Sequence, residues 1–247
     1  MYYYIYDNYL LEKKYQNIIS KIESRLVDLG INGKIVKLNN SLPNKLKEDL
    51  NNIKTIVIVG NDKTLNQTIN LIKNLNKTIG FIPVGNDNNF CKLVGIPEND
   101  GACDILSSRI IKTINLGTIN NLIDFLTYLE IPTYNIYLNC DDNFYINTDD
   151  KNGIITISNL YYGEYEKNIK IDNNSKKLNI IIKNQKKQFL RSKKDYFSRF
   201  QAKKISISSD KSIPILLIDE KRIIKTPATI TIGERKINLI VGKNRII

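Results

Sequence analysis

The sequence contains no histidine and no tryptophan, and its only three cysteines, Cys91, Cys103 and Cys140, lie far apart. The lack of histidine excludes mechanisms that depend on an imidazole base or a histidine metal ligand. An odd number of cysteines with no Cys-x-x-Cys pair argues against a disulfide framework and against a zinc cluster. We therefore expect the cysteines to pack as small apolar side chains, and acid–base chemistry must fall to other residues.

Long apolar runs are also missing. The longest are a few residues, such as 215–218 (ILLI), far below the ~18 residues that a membrane-spanning helix requires. The N-terminus lacks the basic start and cleavage site of a signal peptide, which predicts a cytoplasmic protein. The net charge of +12 favours polyanionic partners such as phosphorylated ligands, nucleic acid or an anionic lipid surface, but a lysine-rich solvated surface explains it equally well.

The first half of the chain alternates strand-like and helix-like segments, which predicts βαβ crossovers and a mostly parallel sheet. The second half contains consecutive strand-like segments, which is typical of an antiparallel sandwich. We predict an α/β fold, with an N-terminal parallel-sheet domain over residues 1–117 and a smaller antiparallel β-sandwich domain over residues 118–247. The predicted strands are 2–6, 34–38, 55–59, 79–83, 134–139, 153–158, 177–183, 202–208, 213–218, 229–232 and 237–241, and the predicted helices are 13–29, 42–50 and 64–75.

Two polar loops follow strands of the predicted parallel sheet. They are residues 60–64 (GNDKT) and residues 85–89 (GNDNN). Backbone N–H groups at such a turn, together with a helix N-terminus, favour phosphate oxygens, although each loop alone is also an ordinary strand–turn–helix connection. Loops at the carboxyl ends of neighbouring parallel strands converge on one crevice, which is where open α/β sheets bind ligands. We therefore expect the two loops to form one site.

These loops and their flanking strands, residues 55–97, resemble the diacylglycerol kinase catalytic-domain family. That family has Gly-Gly-Asp-Gly-Thr after one strand and Pro-x-Gly-Thr-x-Asn-Asp-Phe after the next. The matching positions in this sequence are Gly60, Asp62, Thr64, Pro83, Gly85, Asn88 and Phe90. Residues 93–97 (LVGIP), 114–117 (INLG), 218–221 (IDEK) and 226–227 (TP) resemble later family segments in the same order. The resemblance thus covers most of the chain.

The resemblance implies a nucleotide-binding domain followed by a β-sandwich substrate and lipid domain, with ATP and substrate in the cleft between them. It implies transfer of the γ-phosphoryl group of ATP to a lipid hydroxyl, with Mg²⁺ as cofactor and Asp219 as a catalytic base. The implied nucleotide-binding residues are Gly60, Asn61, Asp62, Lys63, Thr64, Gly85, Asn86, Asn88 and Asn89. The family's Asp-Asp-Gly-x-Leu-Asp segment, which is linked to a structural magnesium, survives at Asp172 and Leu178, with Asn179 at its end.

Several family carboxylates are replaced in this sequence. Gln67, Asn89 and Asn115 stand at carboxylate positions, and Lys221 falls on the Glu of the family's Asp-Gly-Glu base segment. A neutral amide holds magnesium more weakly than a carboxylate, and a protonated lysine cannot accept a proton. We therefore expect weak or absent phosphoryl transfer. The alternative to a lipid kinase is a catalytically inactive nucleotide- or lipid-binding module, and an NAD kinase-like enzyme is a minor alternative because it shares the first loop.

Residues 183–204 carry nine Lys or Arg residues against one acid, Asp195, and include four aromatic residues. This basic stretch would suit an anionic membrane surface, where a lipid substrate is met, and would make the protein peripheral at the inner membrane face. It would also suit nucleic acid, but no nucleic-acid module surrounds it, so no specific nucleic acid is expected. An exposed β-hairpin explains this basic stretch as well as the membrane and nucleic-acid interpretations do together. Homodimerisation stays open.

Overall fold

A computed structural model describes residues 1–39, 41–49, 51–72, 75–162, 175–187 and 193–247. The chain divides into two compact units. Unit 1 contains Met1–Ile114 and Lys236–Ile247, and unit 2 contains Asn115–Arg235. The predicted division differs from these units mainly at the C-terminus, where the end of the last strand pairs with a strand of unit 1. Among the described residues, no helix combines the length and the apolar character needed to cross a membrane.

Unit 1 is the α/β part of the chain. Its elements are β1 (Tyr2–Tyr6), α1 (Gln16–Asp28), β2 (Gly33–Lys37), α2 (Leu42–Asp49), β3 (Thr55–Gly60), α3 (Asp62–Ile72), β4 (Thr78–Pro83), α4 (Asn89–Val94), α5 (Gly101–Ser108) and the start of β5 (Ile111–Ile119). Short 3-10 helices at Asn8–Leu11 and Lys13–Tyr15 join β1 to α1. The strand order is β2-β1-β3-β4, and every pair is parallel, which confirms the predicted βαβ pattern.

The central strand of unit 1, β3, consists of six fully buried residues, TIVIVG. A strand that is covered on both faces has a continuous run of apolar residues, as β3 does. A half-exposed strand would instead alternate apolar and polar residues. The residues of β3 and β4 pair in register from Thr55 with Thr78 to Gly60 with Pro83. The two strands therefore end side by side, and the polar loops that follow them begin at the same edge of the sheet.

Unit 2 is built from strands. They are β6 (Ile123–Phe125), β7 (Tyr128–Pro132), β8 (Ile136–Cys140), β9 (Phe144–Thr148), β10 (Ile154–Ser158), β11 (Leu178–Lys187), β12 (Lys193–Ala202), β13 (Lys204–Ser208), β14 (Pro214–Leu217), β15 (Arg222–Lys225) and β16 (Ala228–Ile240), of which the last ends in unit 1. One sheet has the order β12-β11-β10-β7-β14-β15, and the other contains β16-β13-β8-β9 and the β5–β6 pair. The pairs within unit 2 are antiparallel, as predicted.

Both sheets of unit 2 contribute to one apolar core, in which Phe125, Ile157, Leu178, Ile205 and Ile230 have no more than 1% exposure. The interior positions alternate with outward positions along each strand, which is the pattern of a sandwich core. The three cysteines are free and buried, and burial raises the pKa of Cys140 to about 11, so the expectation that they pack as apolar residues is confirmed.

Candidate functional site

The loop after β3 is fixed by hydrogen bonds between its own side chains. Thr64 N donates to Asn61 Oδ1 over 3.1 Å, and Asn61 N donates to Thr64 Oγ1 over 3.2 Å. This reciprocal pattern caps α3, which therefore begins at Asp62, two residues earlier than predicted. A Cβ on Gly60 would come within 2.5 Å of Thr64 Oγ1, so glycine is required where the chain leaves the strand.

The loop after β4 lies against the first loop, as predicted. Asp62 N donates to Asp87 O over 3.2 Å, and the buried Asp62 carboxylate accepts from Phe90 N over 3.0 Å. Gly85 and Asp87 have φ values of 88° and 63°, a left-handed backbone that glycine and aspartate tolerate better than most residues. Asn88 Nδ2 donates to Gly85 O over 2.8 Å and so closes the loop on itself.

Asn88 also carries a buried acceptor. Its Oδ1 has no hydrogen-bond partner among the described residues, and the residue is only 5% exposed. A buried polar atom without a partner costs free energy, so such an atom in a loop of this kind is a candidate ligand contact. Among the remaining predicted nucleotide contacts, Asn89 begins α4, Asn86 lies in the loop before it, and Lys63 is exposed in the first turn of α3.

Two residues near these loops carry no motif that marks them in the sequence. Asp7 follows β1, and its carboxylate accepts a hydrogen bond from Thr64 Oγ1 over 2.6 Å. The Tyr9 hydroxyl donates to Val84 O over 2.7 Å, and burial raises the pKa of Tyr9 well above its usual value. The signal that could have found them is their place directly after β1, because β1 neighbours β3 in a parallel sheet and must end at the same edge.

An aromatic pair lies over the second loop. Tyr9 and Tyr15 meet edge to face with ring centroids 5.3 Å apart. A Cβ on Gly85 would lie 3.2 Å from the Tyr15 hydroxyl and 3.4 Å from Tyr9. Two half-buried aromatic rings beside a polar loop offer an apolar surface and a hydroxyl edge at the same place.

The predicted base, Asp219, lies in unit 2, in the turn between β14 and β15. Its carboxylate accepts hydrogen bonds from Thr127 N over 3.2 Å and from the Thr127 hydroxyl. Burial raises the pKa of Asp219 to about 6, the Thr127 hydrogen bonds oppose that rise, and the negative charge of Glu220 adds to it. A carboxylate with such a pKa is a stronger base than an ordinary aspartate and is still mostly ionised at neutral pH.

The same turn places the two residues that follow Asp219 in different environments. Glu220 is buried, at 9% exposure, whereas Lys221 is exposed and has a φ of 51°. Lys221 N donates to Ile218 O over 3.2 Å, which closes the turn. The inward-facing charged groups of this turn are therefore two carboxylates, and the expected lysine at the base position points to solvent.

Only one of the two predicted metal residues belongs to the part of the chain that the structure describes. Asp172 lies outside the described residues, and the Leu178 side chain is buried in the apolar core of unit 2, where it offers no oxygen. No group of three or more His, Cys, Asp or Glu side chains suited to a metal ion occurs in the part of the chain that the structure describes. The metal assignment of these two residues stays a prediction.

Comparisons with known proteins agree with this architecture. Residues 5–119 match the family model of the diacylglycerol kinase catalytic domain. A diacylglycerol kinase of Bacillus subtilis (strain 168) is 35% identical over 69 residues, a segment that spans 26% of this chain and only 23% of that protein.

Two crystal structures of proteins from Bacillus anthracis str. Sterne, the first described as a diacylglycerol kinase, share the fold. They are 18% and 16% identical to this chain, with TM-scores of 0.75 and 0.79, and each alignment covers 98% of this chain and 97% of the other. At such identity the structures establish the fold alone, which is the predicted α/β domain followed by antiparallel strands. Together with the matched motifs, the family model assigns residues 5–119 of this chain to the diacylglycerol kinase catalytic-domain family.

Proposed function

We propose that the chain is an ATP-dependent lipid kinase of the diacylglycerol kinase type, with Asp219 as its general base. The observation that carries the proposal is the buried Asp219 carboxylate, with a pKa of about 6, beside a second buried carboxylate. In the reaction, the lipid hydroxyl oxygen forms a bond to the γ-phosphorus of ATP. The bond from that phosphorus to the bridging oxygen breaks, ADP leaves, and the hydroxyl proton passes to Asp219. The family of residues 5–119 supports the same reaction class.

Unit 1 would bind the nucleotide through its two loops. The residues fit this role because Gly85 keeps one loop free of a side chain and Asn88 Oδ1 offers a buried acceptor without a partner among the described residues. The exposed Lys63 adds a positive charge in the first turn of α3. Magnesium would offset phosphate charge when bound, and Asp62 is a carboxylate beside the loops. The nearby carboxylates of Asp7 and Asp62 argue against binding of the metal-free nucleotide.

The pH dependence of transfer tests this assignment of the base. Asp219 must be ionised to accept a proton, so the rate should rise with pH through a midpoint of about 6 and then level off. In Glu220→Gln the neighbouring negative charge is lost, so the pKa of Asp219 should fall and the midpoint should move to lower pH. The measurement is the initial rate of label transfer from γ-labelled ATP to diacylglycerol in mixed vesicles across this pH range.

Lys221→Met is the matched control for Glu220→Gln, because it changes the neighbouring charged residue at the exposed side of the same turn. We expect its midpoint to stay at the wild-type value. A wild-type rate that does not change with pH, or a midpoint that responds to Lys221→Met and not to Glu220→Gln, would contradict the role of the carboxylate pair.

A second candidate is a module that binds nucleotide without transferring phosphate. The observations that favour it are the amides Gln67, Asn89 and Asn115 at family carboxylate positions and the Asp7–Thr64 hydrogen bond, which occupies the hydroxyl of the first loop. Such a module would bind Mg·ATP in a calorimetric titration and leave the lipid unlabelled. The lipid kinase proposal predicts both binding and label transfer, so the two measurements separate the candidates.

The lipid substrate would be met at an anionic membrane surface through the basic strands of residues 183–204. In the described part of these strands, Lys183 pairs with Asp195 over 2.6 Å and lies 5.6 Å from the centroid of the Phe197 ring. The side chains of four further lysines lie outside the described residues, namely Lys186, Lys187, Lys193 and Lys194. We expect vesicle binding that requires anionic lipid and weakens with salt, because surface charges are screened over ~10 Å at 0.1 M.

Charge reversal tests this membrane surface. Changing those four lysines to glutamate should greatly weaken sedimentation with anionic vesicles. The matched control reverses four exposed lysines of unit 1, Lys13, Lys21, Lys37 and Lys54. Equal losses in both variants would indicate a general charge effect, and unchanged binding in the first variant would contradict the proposal.

A further inference from the structure

Residues 7–15, which join β1 to α1, contact both loops of unit 1, and we call them the cover segment. The segment begins at the edge where β3 ends, because Asp7 N donates to Val59 O over 3.1 Å. It contains the two 3-10 helices, and Glu12 N donates to Tyr9 O over 3.1 Å within it. The cover segment is therefore an ordered part of unit 1 that lies at the candidate nucleotide site.

The Tyr9 hydroxyl lies between the two loops. It donates to Val84 O over 2.7 Å, which is the carbonyl directly before the second loop. Burial raises the pKa of Tyr9 above its usual value, and a hydrogen bond from the Thr64 side chain opposes that rise, so the same hydroxyl is also within reach of the first loop. One side chain of the cover segment thus connects the loop after β3 with the loop after β4.

The glycine of the second loop faces tyrosine side chains. A Cβ on Gly85 would lie 3.2 Å from the Tyr15 hydroxyl and 3.4 Å from both the hydroxyl and the ring edge of Tyr9. The space that glycine leaves open at this position is therefore taken by two side chains of the cover segment. A ligand that approached the backbone of Gly85 from this side would have to displace them.

The first loop is covered by a carboxylate of the same segment. Thr64 lies in the first turn of α3, where the helix N-terminus favours the oxygens of an anion. Its hydroxyl donates to Asp7 Oδ2 over 2.6 Å, and Asp7 Oδ1 accepts from Tyr9 N over 3.4 Å. The Asp7 carboxylate thus accepts a hydrogen bond that a phosphate oxygen could accept, and its negative charge repels a phosphate.

We propose that the cover segment is autoinhibitory, because Asp7 and Tyr9 already hold contacts that nucleotide phosphates would make with the two loops. This role rests on the proposed nucleotide site, to which it adds a competitor within the chain itself. A ligand that binds only when these contacts are broken loses affinity by the free energy of breaking them. Weakening either contact should therefore raise the affinity for phosphate ligands, whereas loss of an ordinary binding residue lowers it.

Tyr9→Phe tests the hydroxyl contact, because the variant keeps the ring and removes the donor. One net hydrogen bond changes an equilibrium constant by about 2–10-fold, so the variant should bind Mg·ATP and magnesium tripolyphosphate more tightly by that factor in calorimetric titrations. The affinity for adenosine, which has no phosphate, should not rise. Tyr2→Phe is the matched control, because it removes a tyrosine hydroxyl at the opposite end of β1, and its affinities should equal those of the wild type.

The opposite results with Tyr9→Phe are equally informative. Unchanged or undetectable binding of tripolyphosphate would overturn the proposal, and weaker binding would make the Tyr9 hydroxyl a phosphate contact instead. A gain confined to adenosine would also overturn it, by assigning the covered space to the nucleobase. Label transfer is not measured in these titrations, so a chain that binds ATP but labels no lipid would contradict the proposed function and leave the cover segment unaffected.

Asp7→Asn tests the charge of the cover segment. The amide oxygen can still accept from Thr64, but the negative charge is removed. Tripolyphosphate in EDTA should therefore bind roughly 5-fold more tightly than to the wild type, the effect of one like charge about 4 Å away in water. Asp28→Asn, at an exposed aspartate at the end of α1, is the matched control and should leave this affinity unchanged. Weaker or unchanged binding in Asp7→Asn would contradict an inhibitory role of this carboxylate.

Discussion

Replacement of Asp219 by asparagine is expected to slow phosphoryl transfer by about 10²–10⁴-fold, the usual contribution of a general base. The amide has nearly the same shape as the carboxylate, but it cannot accept the proton of the lipid hydroxyl. ATP binding should be unchanged, because the predicted nucleotide contacts lie in unit 1 and Asp219 lies in unit 2. The measurement is the initial rate of label transfer at a pH above 7, with ATP affinity measured in parallel by calorimetry.

Asp210→Asn is the control for this variant, since Asp210 is an exposed aspartate of the same unit. Its rate should match that of the wild type. If Asp219→Asn also retained the wild-type rate, Asp219 would not be the base. A large loss of folded protein would be recognised by circular dichroism, and Thr127→Val would then test the same carboxylate by removing its hydroxyl donor while leaving Asp219 in place.

The largest expected effect on stability is that of Arg235→Met. Arg235 Nη1 contacts the two oxygens of Asp124 at 2.8 and 2.9 Å, and Asp124 is fully buried. Thr118 Oγ1 donates to the same carboxylate over 3.0 Å. Removal of one partner of a buried ion pair typically costs about 3–5 kcal/mol, because the other charge remains in a low-dielectric environment.

Urea unfolding of wild type and Arg235→Met measures this cost as a difference in the free energy of unfolding. Lys203→Met serves as the control for loss of one basic residue, and it should change stability by less than about 0.5 kcal/mol because it is a surface substitution. A loss in Arg235→Met no larger than that of the control would show that the pair contributes little to the fold of unit 2.

The contact between the two loops of unit 1 could be predicted because it follows from strand order. A glycine after a buried apolar run marks the end of each strand, and parallel neighbours end at the same edge. Asp7 and Tyr9 belong to the same edge, but they follow β1 with no motif to mark them. Their contacts with Thr64 and Val84 bridge more than 50 positions in the sequence, and only the register of β1 against β3 brings them there.

Element boundaries in unit 2 were harder to predict. Two separate strands, 229–232 and 237–241, were predicted on either side of Gly233, but β16 runs through this position from Ala228 to Ile240. Gly233 has a φ of 93°, and a Cβ at this position would meet no atom within 4 Å, so the glycine changes the backbone locally without ending the strand. The strands β5, β6, β7, β9, β12 and β15 were missed. The burial patterns of β9 and β15 explain two of these omissions, since neither strand contains a fully buried residue.

At the turn that contains Asp219, the structure differs from what the motif alignment predicted. Alignment put Lys221 at the position of a family carboxylate and led us to expect weak or absent transfer. A left-handed residue at Lys221 directs this side chain outward and leaves Glu220 buried beside Asp219. No propensity in the sequence favours a left-handed lysine, so this arrangement could not be read from residue types.

The most direct test of the proposed lipid kinase is label transfer by the purified wild-type chain. γ-Labelled ATP, MgCl₂ and vesicles of anionic lipid containing diacylglycerol would be incubated with the wild type at pH 7.5, and the lipid extract would be analysed for label. A lipid kinase with Asp219 as its base should label the lipid only when magnesium is present, and the label should be nearly absent with Asp219→Asn. An unlabelled lipid extract from a wild-type chain that binds Mg·ATP would contradict it and identify a nucleotide-binding module instead.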